Sequence, residues 1–194
     1  MSEELYSRLV NAASQGHLEV VKELISQGAE PSANDSWAMK WAANNGHLEV
    51  VKYLVEQGAD PKADDSQALV WAAENGHLDI MKYLVSVGAN PKARDGRALK
   101  WAAQKGHFDI VKYLVDQGED PKERNSWTMK WAAYYGHLDI VKYLVSKGAD
   151  PRADNNEALR WADERGHTEV VKFLKFWEKD DALFKVIREG LVNE

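Results

Sequence analysis

The 194-residue chain, 44% hydrophobic and 29% charged, has no apolar run near the 18 or more residues of a membrane span, so no membrane role is expected. Its acidic start, Met1-Ser2-Glu3-Glu4-Leu5-Tyr6, lacks a secretory pattern, and zero cysteine rules out a disulfide framework. Both fit a cytoplasmic or otherwise intracellular protein, and a net charge of −6 opposes non-specific attraction to nucleic acid.

The dipeptide Gly-His recurs every 30 residues without slippage, at Gly16-His17, Gly46-His47, Gly76-His77, Gly106-His107, Gly136-His137 and Gly166-His167. Five prolines (Pro31, Pro61, Pro91, Pro121, Pro151) and a column of tryptophans (Trp41, Trp71, Trp101, Trp131, Trp161) keep the same phase. A fixed period of this length predicts stacked supersecondary units, none able to bury its own apolar face alone. The chain is expected to be a single all-α domain spanning 1–194: an N-terminal capping repeat over 1–34, four full repeats over 35–154, and a last repeat with a capping helix over 155–194.

The first repeat carries Asn11 at the tryptophan position and Glu23 at the tyrosine position of the second helix, which suits a polar end. The second repeat shows the unit in full. Ser36 is placed to cap a first helix running to about Asn45, and Ser66, Gly96, Ser126 and Asn156 hold the same position. Gly46 ends that helix in a left-handed conformation. Leu48, Val51, Leu54 and Val55 then form the apolar face of a second helix, opposite Glu49, Lys52 and Glu56. Gly58 closes it and Pro61 prevents its continuation. The small pair Ala42-Ala43 and its counterparts permit close helix approach. In the last repeat the second helix runs on through Phe173-Leu174-Lys175-Phe176-Trp177-Glu178. A final helix over Ala182 to Glu189 is expected to cover the open end with Leu183, Val186 and Ile187.

Gly-His-Leu-Glu-Val-Val-Lys-Tyr-Leu followed by Gln-Gly-Ala-Asp resembles the second helix and loop of the ankyrin repeat, over nearly the whole chain. The family's usual 33-residue period and its Thr-Pro-Leu-His opening are absent; Trp37-Ala38-Met39-Lys40 and its counterparts stand there instead. The three missing residues fall where the family has a β-hairpin finger. The resemblance therefore implies a helix-turn-helix solenoid of about six repeats with shortened or absent fingers. Thirty-residue repeats of this wording are similar to ankyrin arrays of giant DNA viruses, which would place the protein in a host-cell cytoplasm.

The six histidines do not predict a metal site, because packed helices lie about 8–10 Å apart while zinc needs nitrogen ligands at about 2.0–2.1 Å. They are read as turn residues bonding local backbone. No residue pair departs from the repeat pattern as an active site would, and no glycine-rich phosphate loop is present, so no catalytic residue or cofactor is expected. The candidate site is a binding face. Positions 37, 40, 41 and 44 share one side of the first helix, which in ankyrin arrays lines the concave groove. Down the repeats that side offers Trp37, Lys40, Trp41, Trp71, Arg97, Lys100, Trp101, Trp127, Lys130, Trp131, Tyr134, Arg160 and Trp161.

The tryptophan column is constant and suits packing between repeats. Its neighbours at 37, 67, 97, 127 and 157 vary (Trp, Gln, Arg, Trp, Glu) and suit recognition, with Trp37, Arg97, Trp127 and Tyr134 as specificity residues. The leading reading is a monomeric, non-enzymatic scaffold for an unidentified protein partner. One alternative is a polyanion or nucleic acid held by Lys40, Arg97, Lys100, Lys130 and Arg160 with tryptophans as stacking platforms. Another is an engineered consensus array, since 35–64 and 125–154 agree at 21 of 30 positions. The recurring Tyr53, Tyr83, Tyr113, Tyr143 and Phe173 are read as packing.

Overall fold

A computed structural model of the chain describes residues 2–120 and 125–179. Among the described residues there are twelve α-helices and no strand. First helices are α1 (Glu3–Ser14), α3 (Ala33–Asn44), α5 (Ala63–Glu74), α7 (Ala93–Lys105), α9 (Asn125–Tyr134) and α11 (Ala153–Glu164). Second helices are α2 (Leu18–Ser26), α4 (Leu48–Glu56), α6 (Leu78–Ser86), α8 (Phe108–Asp116), α10 (Leu138–Ser146) and α12 (Thr168–Lys179). No helix among the described residues is long and apolar enough to cross a membrane. The chain divides into two compact units, Met1–Ala98 and Leu99–Glu194.

In the first unit α1 packs on α3 and α3 on α5, each also holding its own second helix; in the second unit α9 packs on α11, with α10 and α12 behind them. Met39, Ala42 and Ala43 are fully buried, as the helical spacing predicts. The buried stripe of α4 is displaced from expectation: Val50, Val51 and Leu54 are buried, while Leu48 and Val55 are only half-buried. The cause is that a second helix packs on neighbouring second helices as well as on its own first helix, so Val50, like Ile80, Ile110 and Ile140, is buried too.

Both predicted stops are Schellman motifs. At the first, the His47 N–H donates to the Ala42 carbonyl at 2.9 Å, and Gly46 sits at φ +84. At the second, the Ala59 N–H donates to the Leu54 carbonyl at 2.9 Å, with Gly58 at φ +103. The histidine ring has a longer reach than expected. His47 Nε2–H donates to the Ser14 carbonyl at 3.0 Å, His77 to Asn44 at 3.1 Å, His137 to Gln104 at 3.0 Å and His167 to Tyr134 at 2.8 Å. A carbonyl only accepts, so the bond fixes the Nε2–H form. These acceptors belong to the preceding repeat, and the local-backbone expectation is corrected accordingly.

This bond explains why glycine and histidine travel together. A Cβ on Gly16 would stand 2.5 Å from the His47 ring, one on Gly46 2.7 Å from His77, and one on Gly136 2.6 Å from His167. The glycine of one repeat is the seat for the histidine of the next.

Between repeats the expected shortened finger is a plain loop. Asp60-Pro61-Lys62-Ala63 forms a tight turn, with the Ala63 N–H donating to the Asp60 carbonyl at 3.1 Å and the Lys62 N–H to Asp60 Oδ1 at 2.8 Å. Three consecutive left-handed residues follow, Asp64, Asp65 and Ser66 at φ +51, +50 and +58. Asn34-Asp35-Ser36, Arg94-Asp95-Gly96 and Asp154-Asn155-Asn156 do the same before each helix turns right-handed. All but Arg94 are Asn, Asp, Ser or Gly, small residues mostly of the kind that tolerate this region.

Ser36 therefore precedes the right-handed helix as predicted but does not cap it. Its buried hydroxyl accepts from the Asp60 N–H at 2.9 Å, and Ser66 accepts from Asn90 at 3.0 Å, closing the open end of each helical hairpin. Helix α12 extends to 12 residues against nine in the other second helices, as read from the sequence, and buries Trp177. The expected capping helix over 182–189 lies outside the described residues.

Candidate protein-binding face

The constancy of the tryptophan column reflects its packing. In the first unit Trp41 and Trp71 are half-buried with ring centroids 5.6 Å apart, and Trp37 meets both, at 6.1 Å and 5.6 Å, edge to face. In the second unit Trp131 and Trp161 lie 5.5 Å apart, and Trp101 is half-buried. The geometry suits the quadrupoles of the rings and holds adjacent first helices at one spacing.

The varied neighbours differ in exposure. Trp127 is 53% exposed and meets the Trp161 ring edge-on at 6.3 Å, whereas Trp37 is half-buried. Tyr134 is half-buried between Trp131 and Trp161, and the Arg165 guanidinium lies 4.1 Å over its ring. Tyr135, not singled out from the sequence, is 42% exposed and stacks on Trp131 at 5.9 Å. It sits one residue outside the i, i+3, i+4, i+7 stripe. Only its being aromatic where other repeats have Gln, Asn, Lys or Arg could have marked it.

Two of the five basic residues of the face, Lys40 and Lys130, are buried. Lys40 is 2% exposed, pairs with Asp64 at 3.1 Å and lies 5.3 Å from the Trp37 ring. Lys130, also buried, pairs with Asp154 at 2.8 Å and Glu157 at 2.5 Å and lies 4.8 Å from Trp127. Arg160 is exposed and 3.9 Å from Glu157, and Arg97 is exposed. Lys100 lies 5.5, 5.9 and 5.8 Å from the rings of Trp101, Trp127 and Trp131. The position held by Lys40 and Lys130 belongs to Val70 in the third repeat, where it is buried. There residue 94 is Arg rather than Asp, and it turns back to pair with Asp64.

The hydrogen bond from Lys40, against some desolvation and with the charges of Lys40 and Arg94, holds the Asp64 carboxyl below the usual range. Burial works against the charge of Lys130. Hydrogen bonds and charge from Asp154 and Glu157 outweigh it and push the ammonium up. Burial raises the phenols of Tyr83, Tyr113 and Tyr143 on the second-helix side. Among the described residues no group of three or more His, Cys, Asp or Glu could hold a metal ion.

The family model described as Ankyrin repeats (3 copies) matches residues 9–95, 40–125 and 99–183. Among solved structures, the chain is similar to the human ASB11 ankyrin repeat domain at a TM-score of 0.78 and 23% identity, over 89% of this chain and 84% of that one. No curated protein matches the sequence.

Proposed function

The chain belongs to the ankyrin repeat family, and from that premise we propose that it is a non-catalytic scaffold binding a protein partner through the first-helix faces of its repeats. The observation that carries this reading is Trp127, 53% exposed above indoles that are themselves packed. A large rigid side chain left in water on a fixed platform matches the anchors that dominate protein interfaces. Trp37, Tyr134 and Arg97 are the further specificity residues, and Trp41, Trp71, Trp101, Trp131 and Trp161 the platform. Lys100 adds a cation beside Trp127 that an acidic side chain of the partner would meet. The protein acts as a monomer inside the cell.

Binding of a polyanion is the weaker reading, because Lys40, Lys130 and Arg160 already face carboxylates. A steep loss of affinity with salt would favour it. The proposal is tested by affinity purification with wild type beside a Trp37→Ala, Trp127→Ala, Tyr134→Ala variant of native helical content. Loss of a partner from the variant is expected; equal retention by both refutes the reading.

A further inference from the structure

The tryptophan column has a vacancy at its start. Trp41 is covered by Trp71 on one side, 5.6 Å away, but the preceding repeat offers the exposed Asn11 where an indole would stand. The shortfall leaves a cleft of about 530 Å³ between α1 and α3, in the size range of small-ligand sites. Its lining includes the half-buried Tyr6, Trp37 and Trp41, together with Glu3 and Asn11. Among the described residues Glu3, exposed on the first turn of α1, is the single charged residue of the lining. Among the described residues no lysine or arginine lines it; the Lys40 ammonium lies 5.3 Å from the Trp37 ring and is held by Asp64.

Tryptophan and tyrosine rings with one carboxylate and no cation in the lining select a positively charged group with an apolar surface, the Lys40 ammonium beside Trp37 being already paired with Asp64. A neutral aromatic or alkyl group would gain the burial but not the charge terms. We propose that this cleft binds an organic cation, a methylated ammonium group on a short stem, seated against Trp37 and Trp41 with Glu3 as counter-ion. The cleft shares Trp37 and Trp41 with the proposed protein-binding face. It is tested with small probes, so either reading can fail without the other.

The probes are choline, its neutral isostere 3,3-dimethyl-1-butanol, and a short peptide carrying one trimethyl-lysine. The readout is the shift of the assigned indole N–H resonances of Trp37 and Trp41. Saturable shifts with choline or the peptide, and none with the alcohol, are expected. Tighter binding of choline would identify a small free quaternary ammonium compound as the ligand, and tighter binding of the peptide a modified side chain. Glu3→Gln should weaken binding about fivefold, the effect of one partly screened charge. Asn11→Trp places in the gap the residue that the other five repeats carry; it should keep the thermal midpoint and abolish binding. Equal binding of the alcohol, no binding by either cation, or unchanged choline affinity in folded Asn11→Trp would each overturn the proposal.

Discussion

Replacing Gly46 with alanine tests how the repeats are joined, because two separate effects meet at that Cβ. The residue lies at φ +84, and an L-residue held there costs about 1–2 kcal/mol. The new Cβ would also stand 2.7 Å from the His77 ring, forcing the ring off its seat and straining its bond to the Asn44 carbonyl, for about 1–3 kcal/mol more. Gly58 supplies the control: its φ is +103, yet a Cβ there meets nothing within 4 Å. Urea unfolding followed by circular dichroism should give a loss of about 2–5 kcal/mol for Gly46→Ala and about 1–2 kcal/mol for Gly58→Ala. His77→Ala should cost about 1–2 kcal/mol alone but add little to Gly46→Ala, since the clash goes with the ring. It should add fully to Gly58→Ala. Equal losses at the two glycines, or additivity of Gly46→Ala with His77→Ala, would refute the seat.

Lys40→Met keeps the volume of the buried stem and removes the charge, so stability should change by less than about 1 kcal/mol. Asp64→Asn leaves the ammonium without its carboxylate and should cost about 1–2 kcal/mol, less than for a fully buried pair because Asp64 is 41% exposed; the two midpoints in urea decide. The Asp64 carboxyl is held below its ordinary range, so its contribution is present above about pH 4 and lost as pH falls through the folded value. Lys130 is raised, so its contribution persists below about pH 10.4 and is lost on passing above the folded value. The raised tyrosines act in the same alkaline direction, so thermal midpoints of Lys130→Met beside wild type across pH 9 to 12 isolate the lysine as a shallower decline. Trp131→Ala empties a packed position and should cost about 3–5 kcal/mol, whereas the exposed Trp127→Ala should stay within about 1 kcal/mol. Thermal unfolding distinguishes them, and equal losses would remove the division into platform and anchor.

The helices and their stops were legible because each rests on a local signal: 3.6-residue spacing, glycine at a left-handed position, proline beyond it. The left-handed turn at Asn34-Asp35-Ser36 was not read, because Ser before a helix carries the same letter whether it caps its own helix or accepts from Asp60, 24 residues on. The histidines show the same limit. Their period was the plainest feature of the chain, but the carbonyl each one meets belongs to the preceding repeat, which no window of one repeat contains. On the candidate face, spacing put Trp37, Lys40 and Trp41 on one side of α3. It did not foresee Lys40 buried in an ion pair, because that needs Asp64 from the following loop.

Partner recognition is proposed to reside on the first-helix faces. Its most direct test is a quantitative capture comparing wild type, Trp37→Ala/Trp127→Ala/Tyr134→Ala, and a second-helix variant at the exposed Glu49 and Glu169, all matched for helical content. A partner lost from the first-helix variant and kept by the second-helix variant is the predicted result. A partner kept by the first-helix variant and lost from the second-helix variant would contradict it.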